Sequence, residues 1–140
     1  MDFSKTEAHR SIEALSQKIF GDQINDLYHK INRDKNEEFD ADLWHMLADA
    51  GLLGAIVGEE SGGSALNFLE TSTLLEAQGT VLAKLPLWQS IVAANAIDTF
   101  GSSQQKQSLL TDFIAGESHF SIAVAEGART GLSSILALTD

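Results

Sequence analysis

Histidines, carboxylates and a glycine-rich loop are the parts of this sequence whose residue types could carry chemistry. The four histidines are His9, His29, His45 and His119. None is paired with a second histidine or an acid at a spacing typical of metal ligands, so the sequence predicts no metal site and favours solvated surface histidines. The acidic run 37–42 lacks the loop pattern of an EF-hand and is interpreted as the solvated start of a helix.

The segment 58–64, Gly-Glu-Glu-Ser-Gly-Gly-Ser, has the composition of a phosphate-binding loop but not its pattern. It matches neither G-x-x-x-x-G-K-[ST] nor G-x-G-x-x-G, and its two glutamates would repel a phosphate. The sequence contains no G-x-S-x-G elbow and no cysteine, so it supports neither a hydrolase triad nor a thiol nucleophile. The segment is therefore predicted to be a turn in which Gly62 and Gly63 can adopt positive φ.

The overall negative charge of the chain limits the kinds of molecule that it can bind. The chain of 140 residues carries a net charge of −11, with 44% hydrophobic and 21% charged residues. These proportions are ordinary for a globular protein, and a surface this acidic repels phosphate backbones and anionic lipid. Nucleic acid is therefore excluded as a partner. No run approaches the roughly 20 apolar residues of a spanning helix, so the sequence predicts no membrane insertion and a cytoplasmic location.

Apolar residues at spacings of three and four predict the helices that would position these groups. The first predicted helix covers 5–31 and is followed by a charged connector over 32–38. A second helix is predicted to begin after an N-cap at Asp40 and to close at Gly51. The apolar run 52–57, flanked by glycines, is interpreted as a buried crossing that leads into the glycine-rich loop.

Three further helices are predicted downstream. Asn67 and Glu70 have the spacing of a capping box at the start of the third helix, which is predicted to end at Gly79. Its apolar residues are Leu69, Leu74, Leu75 and Ala77. The fourth covers 86–101, with the only proline of the chain in its first turn.

The fifth helix completes the predicted bundle. Ser102 and Gln105 form its capping box, and Gly116 is its stop. Residues 120–125 then alternate in part and contain β-branched side chains, as a strand does. No partner strand is predicted for it, while the weak apolar cluster 132–138 could be a helix turn or a strand. The predicted fold is all-α, an orthogonal helical bundle of about five helices with a short β-strand stub near the C-terminus.

Six short segments occur in an order that matches a known family. They are Leu-Trp-His-Met-Leu-Ala-Asp-Ala-Gly-Leu-Leu-Gly at 43–54, Gly-Glu-Glu-Ser-Gly-Gly at 58–63, Leu-Glu-Ala-Gln-Gly at 75–79, Leu-Pro-Leu at 85–87, Phe-Gly-Ser-Ser-Gln-Gln-Lys at 100–106, and Ala-Gly-Glu at 115–117 after Leu110. Over roughly 40–126 the chain resembles the acyl-CoA dehydrogenase family. The resemblance identifies 1–117 as the family's N-terminal helical domain in a truncated chain, and 118–140 as the start of a missing β-domain or a divergent tail.

The resemblance implies a function that the chain shares with other domains. In the family, an N-terminal helical domain, a middle β-domain and a C-terminal bundle share FAD and an acyl-CoA thioester. A glutamate removes the Cα proton while a hydride leaves Cβ for the flavin. The base and most flavin contacts correspond to positions beyond Asp140. The chain is thus expected to be a fragment or subunit that is not catalytic alone and works with a missing flavin-domain chain or as a homo-oligomer.

The site residues also follow from the resemblance. One face of the 86–101 helix would line the acyl-chain tunnel, and helical spacing is expected to group its residues. These substrate-binding residues are Leu85, Trp88, Val92 and Asn95. The alternative is that Trp88 and Val92 are plain core residues or part of an interdomain contact.

The expected cofactor contacts are Val124 and Ala125, where the strand would meet FAD. Ala125 stands where the family has threonine, so a hydroxyl that the flavin site would use is absent here. Gly58 likewise stands where the family usually has proline. These departures leave a second hypothesis open, in which the chain is a non-catalytic helical binding or scaffold module derived from that family.

Overall fold

The computed structural model describes residues 5–23, 39–126 and 133–139. Within these ranges, five longer helices and one 3₁₀ turn (Glu59–Ser61) precede a two-stranded sheet. The helices are α1 (Glu7–Gln23), α2 (Ala41–Asp49), α3 (Phe68–Val81), α4 (Leu87–Phe100) and α5, which runs from 103 to 114 as the segments Ser103–Gln105, Lys106–Leu110 and Thr111–Ile114. The strands are β1 (Phe120–Glu126) and β2 (Ser133–Thr139). The predicted helical bundle is confirmed.

Helix α1 is attached to α3 by two polar contacts near their N-terminal ends. The hydroxyl of Thr6 donates to Oε1 of Glu70 over 2.7 Å. One turn further along, Nε2 of His9 lies 3.0 Å from Oγ1 of Thr73. The predicted first helix extended to 31, and its part beyond Gln23, like the connector 32–38, lies outside the described residues.

The predicted helix starts are formed by local hydrogen bonds. The carboxylate of Asp40 accepts from the Leu43 N–H over 2.9 Å and caps α2. At α3, the Asn67 side chain accepts from the Glu70 N–H over 3.0 Å, and the Glu70 carboxylate accepts from the Asn67 N–H over 3.2 Å. Since four backbone N–H groups at each helix start lack partners within the helix, these caps fix where the helices begin.

Helix α3 ends later than its sequence pattern predicted. It passes through Gly79 and stops at Val81, after which Leu82 adopts a left-handed conformation with a φ of 54°. The side-chain amide of Gln78 donates to the carbonyl oxygens of Ala83 (3.0 Å) and Leu85 (2.8 Å). A glycine inside a helix costs only about 1 kcal/mol, so these two side-chain hydrogen bonds to the following turn, and not Gly79, set the helix end.

An aromatic cluster lies where α2, α5 and the start of β1 meet. Trp44 is 1% exposed, and its ring centroid lies 6.1 Å from that of Phe113. Phe113 stacks on Phe120 with centroids 5.0 Å apart, while Phe39 stacks on His119 at the same separation. Aromatic pairs at these distances contribute beyond the area they bury. The cluster therefore joins the helical bundle to the strand that follows it.

Strand β1 has a partner, which corrects one expectation from the sequence. It pairs with β2 in an antiparallel register from Phe120 opposite Thr139 to Glu126 opposite Ser133. The sequence left two alternatives for the cluster 132–138, a helix turn or a strand. Its described residues form a strand. The backbone N–H and C=O groups of a strand need hydrogen-bonding partners, and β2 supplies them from only a few residues downstream.

Candidate functional site

Helix α4 has one buried and one accessible face. The buried face contains Leu87, Ile91 and Ala94, all fully buried. The accessible face carries Trp88, Val92, Asn95 and Thr99, which we call the α4 stripe. Their spacings of four, three and four residues place them on one side of a helix.

Within the α4 stripe, Trp88 is the largest exposed group. It is 54% exposed, Val92 is half-buried, and Asn95 and Thr99 are exposed. The alternative interpretation of the sequence placed Trp88 in the core, and for this residue that interpretation is wrong. Thr99 was not predicted, although its position four residues after Asn95 continues the same face.

Leu85 does not belong to this face. It is 8% exposed and packs in the hydrophobic core. The helix begins at Leu87 with Pro86 as its N-cap, so helical spacing does not extend back to position 85. The Gln78 amide holds the Leu85 carbonyl over 2.8 Å, which makes Leu85 part of the turn that sets the position of α4.

The α4 stripe contains no ionisable group. The only ionisable side chain of the helix is Asp98, and its carboxylate is used elsewhere. Its Oδ2 accepts from the Gly58 N–H over 2.9 Å, and its Oδ1 accepts from the Ser61 hydroxyl over 2.8 Å. The stripe can thus bind an apolar or weakly polar group but cannot exchange a proton with it, whereas Asp98 ties the glycine-rich loop to α4.

The Asp98 contact also explains why glycine is accepted at position 58. A proline there has no N–H and could not donate to Asp98, whereas Gly58 does so at a backbone φ of −62° that either residue can adopt. The sequence could not reveal this contact because the two residues are 40 positions apart.

Replacing Asp98 with alanine is expected to lower the free energy of unfolding by about 2 kcal/mol. The substitution removes a charged acceptor from two hydrogen bonds and leaves the partly buried Gly58 N–H without its partner. Urea denaturation measures the loss. Asp112, an exposed carboxylate on α5, is the matched control, and Asp112→Ala should change stability by about 0.5 kcal/mol or less. Equal stabilities of the two variants would contradict a role for Asp98.

The backbone of β1 determines what Val124 and Ala125 can offer a cofactor. Both the N–H and the C=O of Phe120 bond to the Ser90 hydroxyl, each over 3.0 Å. Because successive residues of a strand direct these groups to opposite edges, those of Val124 point away from β2, like those of Phe120. The backbone N–H and C=O of Ala125 point toward its partner in β2, Ser134.

These two residues do not fit a complete FAD site. Ala125 carries a methyl group and Val124 an isopropyl group, so neither side chain can hydrogen-bond to a flavin ring or to a phosphate. What β1 offers at this point is the outward-facing backbone of Val124. A flavin would need its charged and hydroxyl partners from other residues.

The histidines differ in their surroundings. His9 contacts Thr73, and His119 is half-buried against Phe39, so the prediction of a solvated surface position is wrong for these two. His45 is exposed as predicted, and His29 lies outside the described residues. In the part of the chain that the structure describes, no three histidine, aspartate or glutamate side chains come together as a metal site.

The surface also has a cleft and a groove away from the α4 stripe. A polar cleft of about 460 Å³ lies between the loop residues Glu60 and Ser61 and the turn containing Lys106. An apolar groove of about 410 Å³ lies between α1 and α2. Among the described residues, no helix has the length and apolar character needed to cross a bilayer.

Comparisons with known proteins identify the family to which this fold belongs. Residues 6–117 match the family described as Acyl-CoA dehydrogenase, N-terminal domain. Acyl-CoA dehydrogenase FadE27 of Mycobacterium tuberculosis is 35% identical over 126 residues, which are 89% of this chain and 34% of that protein. The chain thus spans about a third of the length of this curated relative.

Solved structures show the same fold. A variant of the Tcur3481-Tcur3483 steroid ACAD superposes with a TM-score of 0.80 at 32% identity, over 93% of this chain and 35% of that chain. The ChsE4-ChsE5 complex from Mycobacterium tuberculosis superposes with a TM-score of 0.80 at 28% identity, over 92% of this chain and 39% of that chain. The family match also includes α1, which the resemblance in sequence, over roughly 40–126, did not reach. The chain therefore belongs to the acyl-CoA dehydrogenase N-terminal domain family.

Proposed function

We propose that this chain is the N-terminal domain, as a fragment or subunit, of an acyl-CoA dehydrogenase-like flavoprotein. In this proposal the α4 stripe is one wall of the acyl-chain tunnel, and the α,β-oxidation is carried out by an assembly in which other domains hold FAD. The observation that supports it is the exposed indole of Trp88 on a helix whose opposite face is fully buried. Contiguous exposed apolar surface on a soluble protein marks a place where a partner or ligand binds, and Trp88 and the half-buried Val92 lie one helical turn apart on this face.

The contribution of the chain to the reaction would be binding and orientation. Trp88 and Val92 would pack along the methylene groups of the acyl chain, where each buried methylene contributes about 0.8 kcal/mol. Asn95 places an amide at the polar end of the same face. With no ionisable group on the stripe, proton removal at Cα would fall to a carboxylate of another domain. Holding the substrate in one orientation and excluding water are the effects expected of such a wall.

The remaining domains would come from a partner chain or a longer form of this one. Two of the similar structures are named as pairs, Tcur3481-Tcur3483 and ChsE4-ChsE5, which supports an assembly of more than one chain. Exposed apolar side chains outside the α4 stripe also fit a packing surface for missing domains. They include Leu69, Leu82 and Phe100, the last of which is 86% exposed.

The proposal predicts that an acyl-CoA changes the fluorescence of Trp88. Octanoyl-CoA should shift the emission of the natural chain to shorter wavelength, since an apolar chain covering the indole removes water from it. Trp88→Phe should lose most of this response, while Trp44→Phe should keep it because Trp44 is in the core. A fluorescence titration measures each response.

Coenzyme A without an acyl group is the control for ligand chemistry, because it lacks the part that the stripe would bind. It should leave the emission unchanged. If octanoyl-CoA has no effect on the natural chain, or acts equally on Trp88→Phe, the stripe is an interdomain contact and not an acyl wall.

A further inference from the structure

We infer that Ser90 is a positioning residue that decides which backbone groups of β1 face outward, and so places the Val124 backbone where a cofactor can meet it. The inference rests on the proposed function, since it concerns the strand expected to contact FAD. It is carried by the contact between Ser90 and Phe120. The Ser90 hydroxyl is fully buried, donates to the Phe120 carbonyl over 3.0 Å and accepts from the Phe120 N–H over 3.0 Å.

This contact gives both the N–H and the C=O of one backbone residue a hydrogen-bond partner. A buried hydroxyl or peptide group is costly unless it is hydrogen-bonded, and here one hydroxyl satisfies both peptide groups of Phe120. Ser90 therefore acts on the outer edge of β1 as a residue of a neighbouring strand would. The side chain of Phe120 is fixed as well, because its ring stacks on that of Phe113.

Fixing Phe120 fixes the rest of the strand. A slip of one residue in a β-ladder exchanges the two edges and the two faces of the strand. In the observed register, Ile122 and Val124 share the outer edge with Phe120, and Ala125 faces Ser134 of β2. After a slip, the backbone of Ala125 would face outward instead of that of Val124. The Ser90 contact excludes that alternative.

The same hydroxyl links the two parts of the proposed site. Ser90 lies on α4 between Trp88 and Val92 of the α4 stripe but points to the opposite side, toward β1. The position of the α4 stripe relative to the outward-facing backbone of Val124 is thus set through the Ser90 side chain. No other side-chain hydrogen bond joins α4 to β1 among those the structure describes.

Residue-resolved amide exchange on the full chain tests the inference. In the natural chain, the N–H groups of 121, 123 and 125 should be protected by β2, those of 122 and 124 should exchange fast, and that of Phe120 should be protected by Ser90. In Ser90→Ala, exchange at Phe120 should accelerate about tenfold, the factor expected for one lost hydrogen bond. The alternation along 121–125 should also weaken as the register loosens.

Two variants separate the hydrogen bond from packing. Ser90→Cys keeps the size of the side chain but bonds weakly, so it should behave like Ser90→Ala, whereas Ser90→Thr keeps the hydroxyl and should restore the alternation. Ser108→Ala, which removes an exposed hydroxyl from α5, should leave it unchanged. A persistent alternation and unchanged Phe120 exchange in Ser90→Cys would overturn the inference. The proposed function can fail separately. If Ser90→Ala and Ser90→Cys lose the alternation but octanoyl-CoA does not change the emission of the natural chain, the role of Ser90 is supported and the acyl wall is rejected.

Discussion

Replacing Gly63 with alanine is expected to destabilise the fold by about 3 kcal/mol or more. The added methyl group would lie 2.1 Å from the carbonyl oxygen of Val57 and 2.5 Å from that of Gly54. Both obstacles are backbone atoms of the buried crossing 52–57, so relief requires moving the crossing itself. The free energy of unfolding of a whole domain is only about 5 to 15 kcal/mol, so this substitution would remove a large part of it. Urea denaturation measures the change.

Gly79→Ala is the matched control with the opposite sign. Gly79 lies inside α3, and none of the described residues comes within 4 Å of the position of an added methyl group. Alanine is favoured over glycine inside a helix by about 1 kcal/mol, so this variant should be slightly more stable than the natural chain. Similar stabilities for Gly63→Ala and Gly79→Ala would contradict the packing of the glycine-rich loop described above.

The two tryptophans are expected to differ strongly when each is replaced with alanine. Trp44→Ala should cost about 3 to 5 kcal/mol because it opens a cavity in the aromatic cluster. Trp88→Ala should cost about 1 kcal/mol or less, since its indole is half in water. Thermal unfolding followed by circular dichroism measures both. Equal losses would mean that Trp88 is a structural residue and would remove the support for an acyl wall.

A third variant tests the chemistry of the Trp44 site. The indole N–H of Trp44 is buried and has no hydrogen-bond partner among the described residues, so phenylalanine loses no hydrogen bond that the structure describes. Trp44→Phe should therefore be much more stable than Trp44→Ala. This variant is also the one needed for the fluorescence titration, because it leaves Trp88 as the only source of indole emission.

Local signals in the sequence predicted most of the helical bundle. The capping pairs at Asn67 and Ser102 join groups three residues apart, and Gly51 and Gly116 adopt the positive φ that their helix ends require. Such features depend on neighbouring residues alone, so a pattern of residue types reveals them. The predicted helix end at Gly79 was wrong because the Gln78 side chain bonds to the turn that follows the helix, at Ala83 and Leu85, and residue types alone do not show which carbonyl groups a glutamine side chain will meet.

The site was less accessible to sequence reasoning because its contacts join distant parts of the chain. Asp98 meets Gly58 across 40 positions, and Ser90 meets Phe120 across 30. Nothing in the residue types marks Ser90 as different from the exposed serines. Helical spacing did place Trp88, Val92 and Asn95 on one face, but it also included Leu85, whose backbone lies before the helix begins.

The turn Lys106–Leu110 within α5 is a π-helix, and it bears on how this chain should be aligned with others. A π turn, with hydrogen bonds from i to i+5, holds more residues than the α turn it replaces. The flanking segments at Ser103–Gln105 and Thr111–Ile114 nevertheless remain α-helical. An alignment with a protein whose corresponding helix is regular throughout should therefore place a one-residue gap inside 106–110, and not in the loops at either end of α5.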